Sequence, residues 1–290
     1  MLKTFPAKIL LFGEYTILNG SKALALPYKV FEGKWSFDTV DSEARDDSRK
    51  SLQNFLLNSG VTSINMEKLK SDLKEGMWFD STIPHGYGLG SSGAVIAALY
   101  DRYGDPRNET QNDKAELARL EDFFHGSSSG LDPLVSHIQR PLLIHNFDNV
   151  EVLDKTPDLS GFFLINTGRP RQTGPLVNIY QEKMKDPEFK QGCADILSKE
   201  VNFAINAVLD HDPEKLFHHL WHISKFQWDF FPEMIPTKER GLWTRGLETG
   251  DYVLKLCGAG GGGCILGFSN KFNIEQMRQI LKTHEIRELK

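Results

Sequence analysis

The stretch Gly86-Tyr87-Gly88-Leu89-Gly90-Ser91-Ser92-Gly93 decides how the rest of the chain is read. Gly88, Gly90 and Gly93 satisfy the G-x-G-x-x-G spacing of dinucleotide-binding turns; with Val95 they also fit the glycine-rich loop of protein kinases. From Ser92 onward, Ala94 to Tyr100 are nearly all apolar, so the turn opens a helix that is buried on most sides. Such a junction offers backbone N–H groups and the positive end of a helix dipole to an anion, phosphate above all. Capping accounts for one serine. It does not account for Gly86, Gly88 and Gly90 together, because each glycine costs backbone entropy. Phosphate binding is the favoured reading.

Context argues against both familiar patterns. A dinucleotide turn needs a strand running straight into it and an acidic residue about twenty positions on. Here Pro84 interrupts the approach, and Asp113 falls at a helix start. A protein kinase needs H-R-D, D-F-G and V-A-I-K, none of which occurs, and no Walker G-K-[ST] is present.

Outward from the turn, the 290 residues allow one large domain or two ordinary ones. Hydrophobic residues make up 40% and charged residues 25%, the balance of a globular chain. A net charge of −5 supplies no global basic field for nucleic acid. Three cysteines without a C-x-x-C do not form a disulfide framework. No apolar run reaches membrane-spanning length and the first twenty residues hold no signal-peptide core, so a cytoplasmic location is expected. The sequon Asn108-Glu109-Thr110 matters only in a secreted chain.

Ala7 to Phe12 reads as a buried strand, and Asn19-Gly20 as a hairpin turn between Thr16–Leu18 and Ala23–Leu26. Residues 45–75 read as two helices broken at Asn58-Ser59-Gly60, followed by a short strand at Met77–Phe79. Gly104 fits the C′ position of the helix after the glycine turn, with Pro106 as its stop. A further helix runs from 113 to 124, ending at His125-Gly126. Turn residues at 154–160 suggest a boundary between domains 1–157 and 158–290. Beyond it come a strand at Phe162–Asn166, helices at 190–209 and 213–227, and strands at Val253–Cys257 and Cys264–Phe268.

Further constellations carry chemistry. At about 100° per residue, Glu121 sits at the edge of the apolar arc of Leu117, Leu120 and Phe124. Such a carboxylate needs a partner, a metal ion among the candidates, unless it snorkels to the surface. Asp132 before Pro133 has the form of an N-cap with proline at the first helical position. Gly258 to Gly263, lying between apolar strands, reads as a close-approach loop rather than a linker. Lys8 opens a buried strand, where it could snorkel or meet phosphate. His218 and His222 are four apart but lack a third ligand, so they read as a packed or solvated cluster.

The three glycine-rich segments and their order resemble the GHMP kinases. The matching stretches are PAKILLFGEYTILNGSKALAL, PHGYGLGSSGA and KLCGAGGGGC; HGSSSGLD and INTGRPRQT are similar to the mevalonate kinase branch. The resemblance implies two α+β domains, an S5 domain 2-like N-terminal part and a ferredoxin-like C-terminal part, with the active site in the cleft between them. It implies ATP and Mg2+ as cofactors, and phosphorylation of the mevalonate hydroxyl in isoprenoid biosynthesis as the activity. Alternatives are another kinase of the family, acting on phosphomevalonate or a sugar, or a silent ligand-binding protein. A homodimer is left open; no nucleic-acid or membrane partner is expected.

Residue by residue, it implies that Gly86, Gly88, Leu89, Gly90, Ser91, Ser92 and Gly93 wrap the ATP phosphates. Ser92 and Glu121 would hold Mg2+, while Asp132 and Lys8 would be catalytic. Glu14, Tyr15 and Thr173 would line the substrate side. Apart from the resemblance, Arg169 and Arg171 could pair with a substrate carboxylate, because a guanidinium matches its geometry. The chain departs from the family at Ser128, where proline is usual, and at Pro133, where asparagine is common. It departs again at Tyr15, often histidine, and at Gly93, usually alanine.

Overall fold

A computed structural model describes residues 3–39, 41–104, 113–125, 128–146 and 149–289. Pro106, the 108–110 sequon, Gly126 and Ser127 lie outside the described residues, as does the His125 side chain. The chain divides into two units: residues 1–8, 27–84 and 89–140 form the first, and residues 9–26, 85–88 and 141–290 the second. The turn segment at 154–160 lies inside the second. Among the described residues no helix is long and apolar enough to cross a membrane.

Strands β1 (Thr4–Phe12) and β2 (Ala23–Ser36) are neighbours in one sheet. β1 is buried on both faces, as its apolar run requires. The Asn19-Gly20 hairpin expected between them is instead a 3-10 turn over Thr16–Asn19, capped by Gly20 in the left-handed region. Left-handed Gly13 (φ 110°) and Tyr15 (φ 63°) end the strand before a two-residue turn could form.

In the first unit, α1 (Glu43–Asn58) starts at Ser42, whose side chain accepts from the Arg45 N–H, and α2 (Met66–Lys74) starts in the same way at Asn65. β3 (Trp78–Ser81) pairs antiparallel with the end of β2. α3 (Ser91–Tyr103), α4 (Asp113–His125) and α5 (Leu131–Ile138) pack together. Gly104 is extended, not left-handed, and bridges to Ile64, so the helix stops by entering a strand-like pairing.

α3 packs closely on α5 because Gly93 has no side chain: a Cβ there would lie 2.8 Å from the Asp132 carbonyl carbon and the Pro133 nitrogen. Gly93→Ala gains about 1 kcal/mol of helix propensity. It should lose more than that to overpacking, which costs about 1–3 kcal/mol. A denaturation midpoint no lower than wild type would contradict this.

In the second unit, β4 (Leu142–Asn146) pairs with the start of β2 and with β5 (Asn149–Val152). β6 (Phe162–Asn166) is followed by α6 (Thr173–Lys183) and α7 (Pro187–Gly192). A π-helical turn, Cys193–Leu197, then leads into α8 (Ser198–Leu209), so the single helix expected at 190–209 is divided. α9 (Pro213–Phe230) has Asp212 as N-cap and proline in its first turn. Then follow α10 (Arg240–Thr249), β7 (Val253–Leu256), β8 (Cys264–Phe268), α11 (Ile274–Ile280) and β9 (Glu285–Glu288). Four of these strands form an antiparallel sheet in the order β7-β8-β6-β9, and α9 packs on β7.

Candidate active site

In the first unit four segments bring Lys8, Ser92, Glu121 and Asp132 together. The Lys8 backbone N–H donates to the Leu89 carbonyl at 2.9 Å, tying β1 to the glycine turn. Gly90 leaves room for the lysine stem, since a Cβ there would lie 2.8 Å from Lys8 Cγ. The Lys8 ammonium, on a residue only 8% exposed, reaches Asp132 Oδ1 at 2.9 Å. Asp132 is not the N-cap; Gly130, in the left-handed region, takes that place, and Asp132 sits in the first turn of α5. There the helix dipole favours its carboxylate.

Glu121 is not a snorkelling surface residue: it is 4% exposed. Its Oε1 accepts from Ser92 Oγ at 3.2 Å and its Oε2 from Ser128 Oγ. Ser128 Oγ also accepts from the Gly130 N–H at 3.0 Å. The serine that departs from the family pattern thus fastens Glu121 to the turn that launches Asp132. Burial, and next the Asp132 charge, push the Glu121 carboxyl up to about 7, against the pull of Ser128, Ser92 and Lys8.

One ammonium therefore faces two carboxyl groups, and a buried carboxyl with a raised pKa marks a site short of positive charge. A hard divalent cation with oxygen ligands fits that deficit. Ser92 and Glu121 could hold it, together with oxygens from a bound phosphate. Among the described residues no group of three or more His, Cys, Asp or Glu could hold a metal without such help. His218 and His222 meet edge to face with ring centroids 4.7 Å apart, His218 being exposed.

The glycine turn owes its composition to its backbone: Gly86, Gly88 and Gly90 have φ of 76°, 75° and 73°. Gly90 caps α3 and no serine side chain does so, which removes the capping account of Ser91 and Ser92.

In the second unit Gly86, Gly88 and the turn Gly258–Gly263 surround Arg171. The Arg171 N–H donates to the Gly86 carbonyl at 2.8 Å, and its Nη1 donates to the Gly260 carbonyl at 3.0 Å. The guanidinium occupies space that side chains at Gly88 and Gly258 would need. Its Nε is buried without a partner.

Glu14 and Tyr15, expected to face a substrate, have both side chains held by the protein. Glu14 pairs with Lys255 at 2.6 Å, both side chains being 2% exposed, and burial raises its pKa against the pull of that lysine. Tyr15 donates to the Ala259 carbonyl at 2.7 Å and stacks on Tyr180 with centroids 4.6 Å apart. Thr173 is exposed at the first position of α6. Sequence reasoning missed Lys255 and the part played by Ser128. A lysine in the apolar run Val253-Leu254-Lys255-Leu256 was the available signal for the first.

The GHMP kinases N terminal domain model matches residues 57–137. The mevalonate kinase of Thermococcus sibiricus is 27% identical over 302 residues, covering 91% of this chain and 88% of that one. Among solved structures, the L. major mevalonate kinase in complex with R-mevalonate aligns over 97% of this chain and 90% of its own, with a TM-score of 0.69 at 17% identity. The Streptococcus pneumoniae phosphomevalonate kinase in complex with phosphomevalonate and AMPPNP aligns over 99% of both chains, with a TM-score of 0.65 at 16% identity. At these identities the solved structures speak for the fold, which is the mixed α+β fold of these kinases. The match to the GHMP kinases N terminal domain thus falls on the residues that carry the glycine turn, Ser92, Glu121 and Asp132, and over 91% of its length the chain is similar to a small-molecule kinase, a mevalonate kinase.

Proposed function

We propose that the protein transfers the terminal phosphoryl group of ATP to the hydroxyl of mevalonate, giving 5-phosphomevalonate. The observation that carries this reading is the Lys8–Asp132 pair at 2.9 Å, in the same unit as the Ser92–Glu121–Ser128 cluster. Phosphoryl transfer passes through a loose transition state, so catalysis is mostly positioning and charge neutralisation. Asp132 accepts the hydrogen bond or proton of the attacking hydroxyl and aims its oxygen. Lys8 stands beside Asp132 and meets the charge of the transferred group. The N–H groups at the start of α3 and the turn 86–93 cradle the phosphates. Ser92 and Glu121 hold Mg2+, which supplies charge neutralisation on the phosphate oxygens.

Arg171 is the group for the acceptor's carboxylate: its guanidinium is fixed at Gly260, and its buried Nε lacks a partner. Arg171→Gln should raise KM for an acidic acceptor roughly 10- to 100-fold, the worth of one or two charge-assisted hydrogen bonds, with KM for ATP little changed. An unchanged acceptor KM would remove the assignment.

The deciding experiment is coupled ADP release from Mg-ATP with mevalonate, phosphomevalonate, galactose and homoserine in parallel. Turnover with mevalonate alone supports the proposal. Turnover with another acceptor keeps the phosphoryl-transfer machinery and moves the substrate. ATP binding with no turnover on any of them favours a silent ligand-binding protein.

A further inference from the structure

Lys255 and Glu14 form a charged pair with both side chains 2% exposed. Two charges taken from water gain little or nothing in stability over an apolar pair of the same shape. Folding alone therefore gives no reason for the pair, and its neighbours suggest another. The Lys255 ammonium donates to Glu14 Oε1 at 2.6 Å and to the Leu256 carbonyl at 2.8 Å. The backbone of Gly258 also lies where it favours the charged Glu14 carboxylate. The pair thus grips the chain where it enters the turn Gly258–Gly263.

That turn is hard to hold by its own sequence. Gly258, Gly260, Gly261, Gly262 and Gly263 have φ of 67°, 76°, 76°, 154° and 68°. Consecutive glycines lose the most conformational entropy on ordering, so the turn needs outside anchors. The anchors include Tyr15 on the Ala259 carbonyl at 2.7 Å, Arg171 on the Gly260 carbonyl at 3.0 Å, the Met234 carbonyl on Gly261 N–H at 2.6 Å, the Arg169 carbonyl on Gly263 N–H at 2.7 Å, and the Thr167 N–H and hydroxyl on the Gly263 carbonyl at 3.0 and 2.8 Å. Two of these anchors are Tyr15, which follows Glu14 directly, and Arg171, whose remaining donors are the ones available to an anion.

We propose that Lys255 and Glu14 are positioning residues: they hold the entrance of the turn 258–263 and, through the turn, fix the Arg171 guanidinium and the Tyr15 ring. Neither touches a substrate. Only the kinetic half of the test rests on the kinase reading above.

Lys255→Met alone strands the Glu14 carboxylate and should lower Tm sharply, which a merely structural role would also do. The informative variant is the double Glu14→Leu/Lys255→Met, which removes both charges and recovers most of the wild-type Tm. In it, amide hydrogen exchange across 258–263 should speed up about tenfold or more while exchange in β6 stays unchanged. KM for the acceptor should rise about 10- to 100-fold, the scale of a small misplacement at a binding group, with kcat changed far less. Where the leucine variant does not fold, the isosteric pair Glu14→Gln/Lys255→Met carries the same comparison. A folded double variant with wild-type exchange at 258–263 overturns the proposal. The exchange experiment needs no substrate, so wild-type protein that turns over none of the acceptors would count against the functional reading and leave this inference standing.

Discussion

Asp132→Asn lowers kcat roughly a thousandfold, the scale of one positioned proton acceptor, and leaves KM for ATP nearly unchanged. The amide keeps the size of the side chain but cannot take the hydroxyl's proton or neutralise Lys8, which the wild-type carboxylate meets at 2.9 Å. Lys8 is 8% exposed, so its unpaired ammonium also costs stability. Because the Asp132 side chain is 36% exposed, solvent screens much of that cost, leaving about 1–2 kcal/mol. Adding Lys8→Met to the same chain should restore the midpoint without restoring turnover. Single-turnover rates and urea midpoints measured on the same preparations separate the two effects. An Asp132→Asn variant that turns over within tenfold of wild type would show that the carboxylate is not the group that meets the hydroxyl.

Glu121→Gln should do two things at once: nearly abolish Mg-dependent turnover and stabilise the metal-free protein at alkaline pH. With the Glu121 carboxyl pushed up to about 7, the folded chain keeps a proton between about pH 4.5 and 7 that the unfolded chain has released. Stability therefore falls as pH rises through that window and is lowest above it, a total on the order of 3 kcal/mol. Glutamine has no such proton and still meets Ser92 and Ser128. In EDTA the variant should melt roughly 5 °C above wild type at pH 8, and at about the same temperature at pH 5. Parallel melting curves at both pH values would show that Glu121 is not held against its own charge. Higher stability together with lost activity is the expected signature of a carboxylate kept for a ligand.

Much of the site was legible because local backbone demands leave local marks. Three glycines at alternate positions before an apolar helix point to left-handed turns, and Gly86, Gly88 and Gly90 adopt them. Asp132 was visible beside a glycine-serine turn, but its cap assignment failed. Gly130 took the cap, because a left-handed glycine starts the helix earlier than the Asp-Pro pattern suggests. The hairpin at Asn19-Gly20 failed for a similar reason: Gly13 and Tyr15 bend the chain upstream, and the turn signal served a 3-10 cap instead.

The glycine turn, the helix it opens and most of the strands could be read from the chain alone, as could the lysine, glutamate and aspartate to which the proposed function assigns the chemistry. The turn, helix and strands rest on periodicity or on a backbone conformation that one residue type permits. Which charges meet was settled only by tertiary packing. Glu121 could have been a surface residue until Ser92 and Ser128 closed on it. Lys255 passed unremarked inside the strand Val253–Cys257 until Glu14 was brought to it. Ser128 read as a departure from a pattern until its hydroxyl met a carboxylate. The energy of a charge depends on its distance to other charges and on the water removed around it, and both are set by segments far apart in the chain.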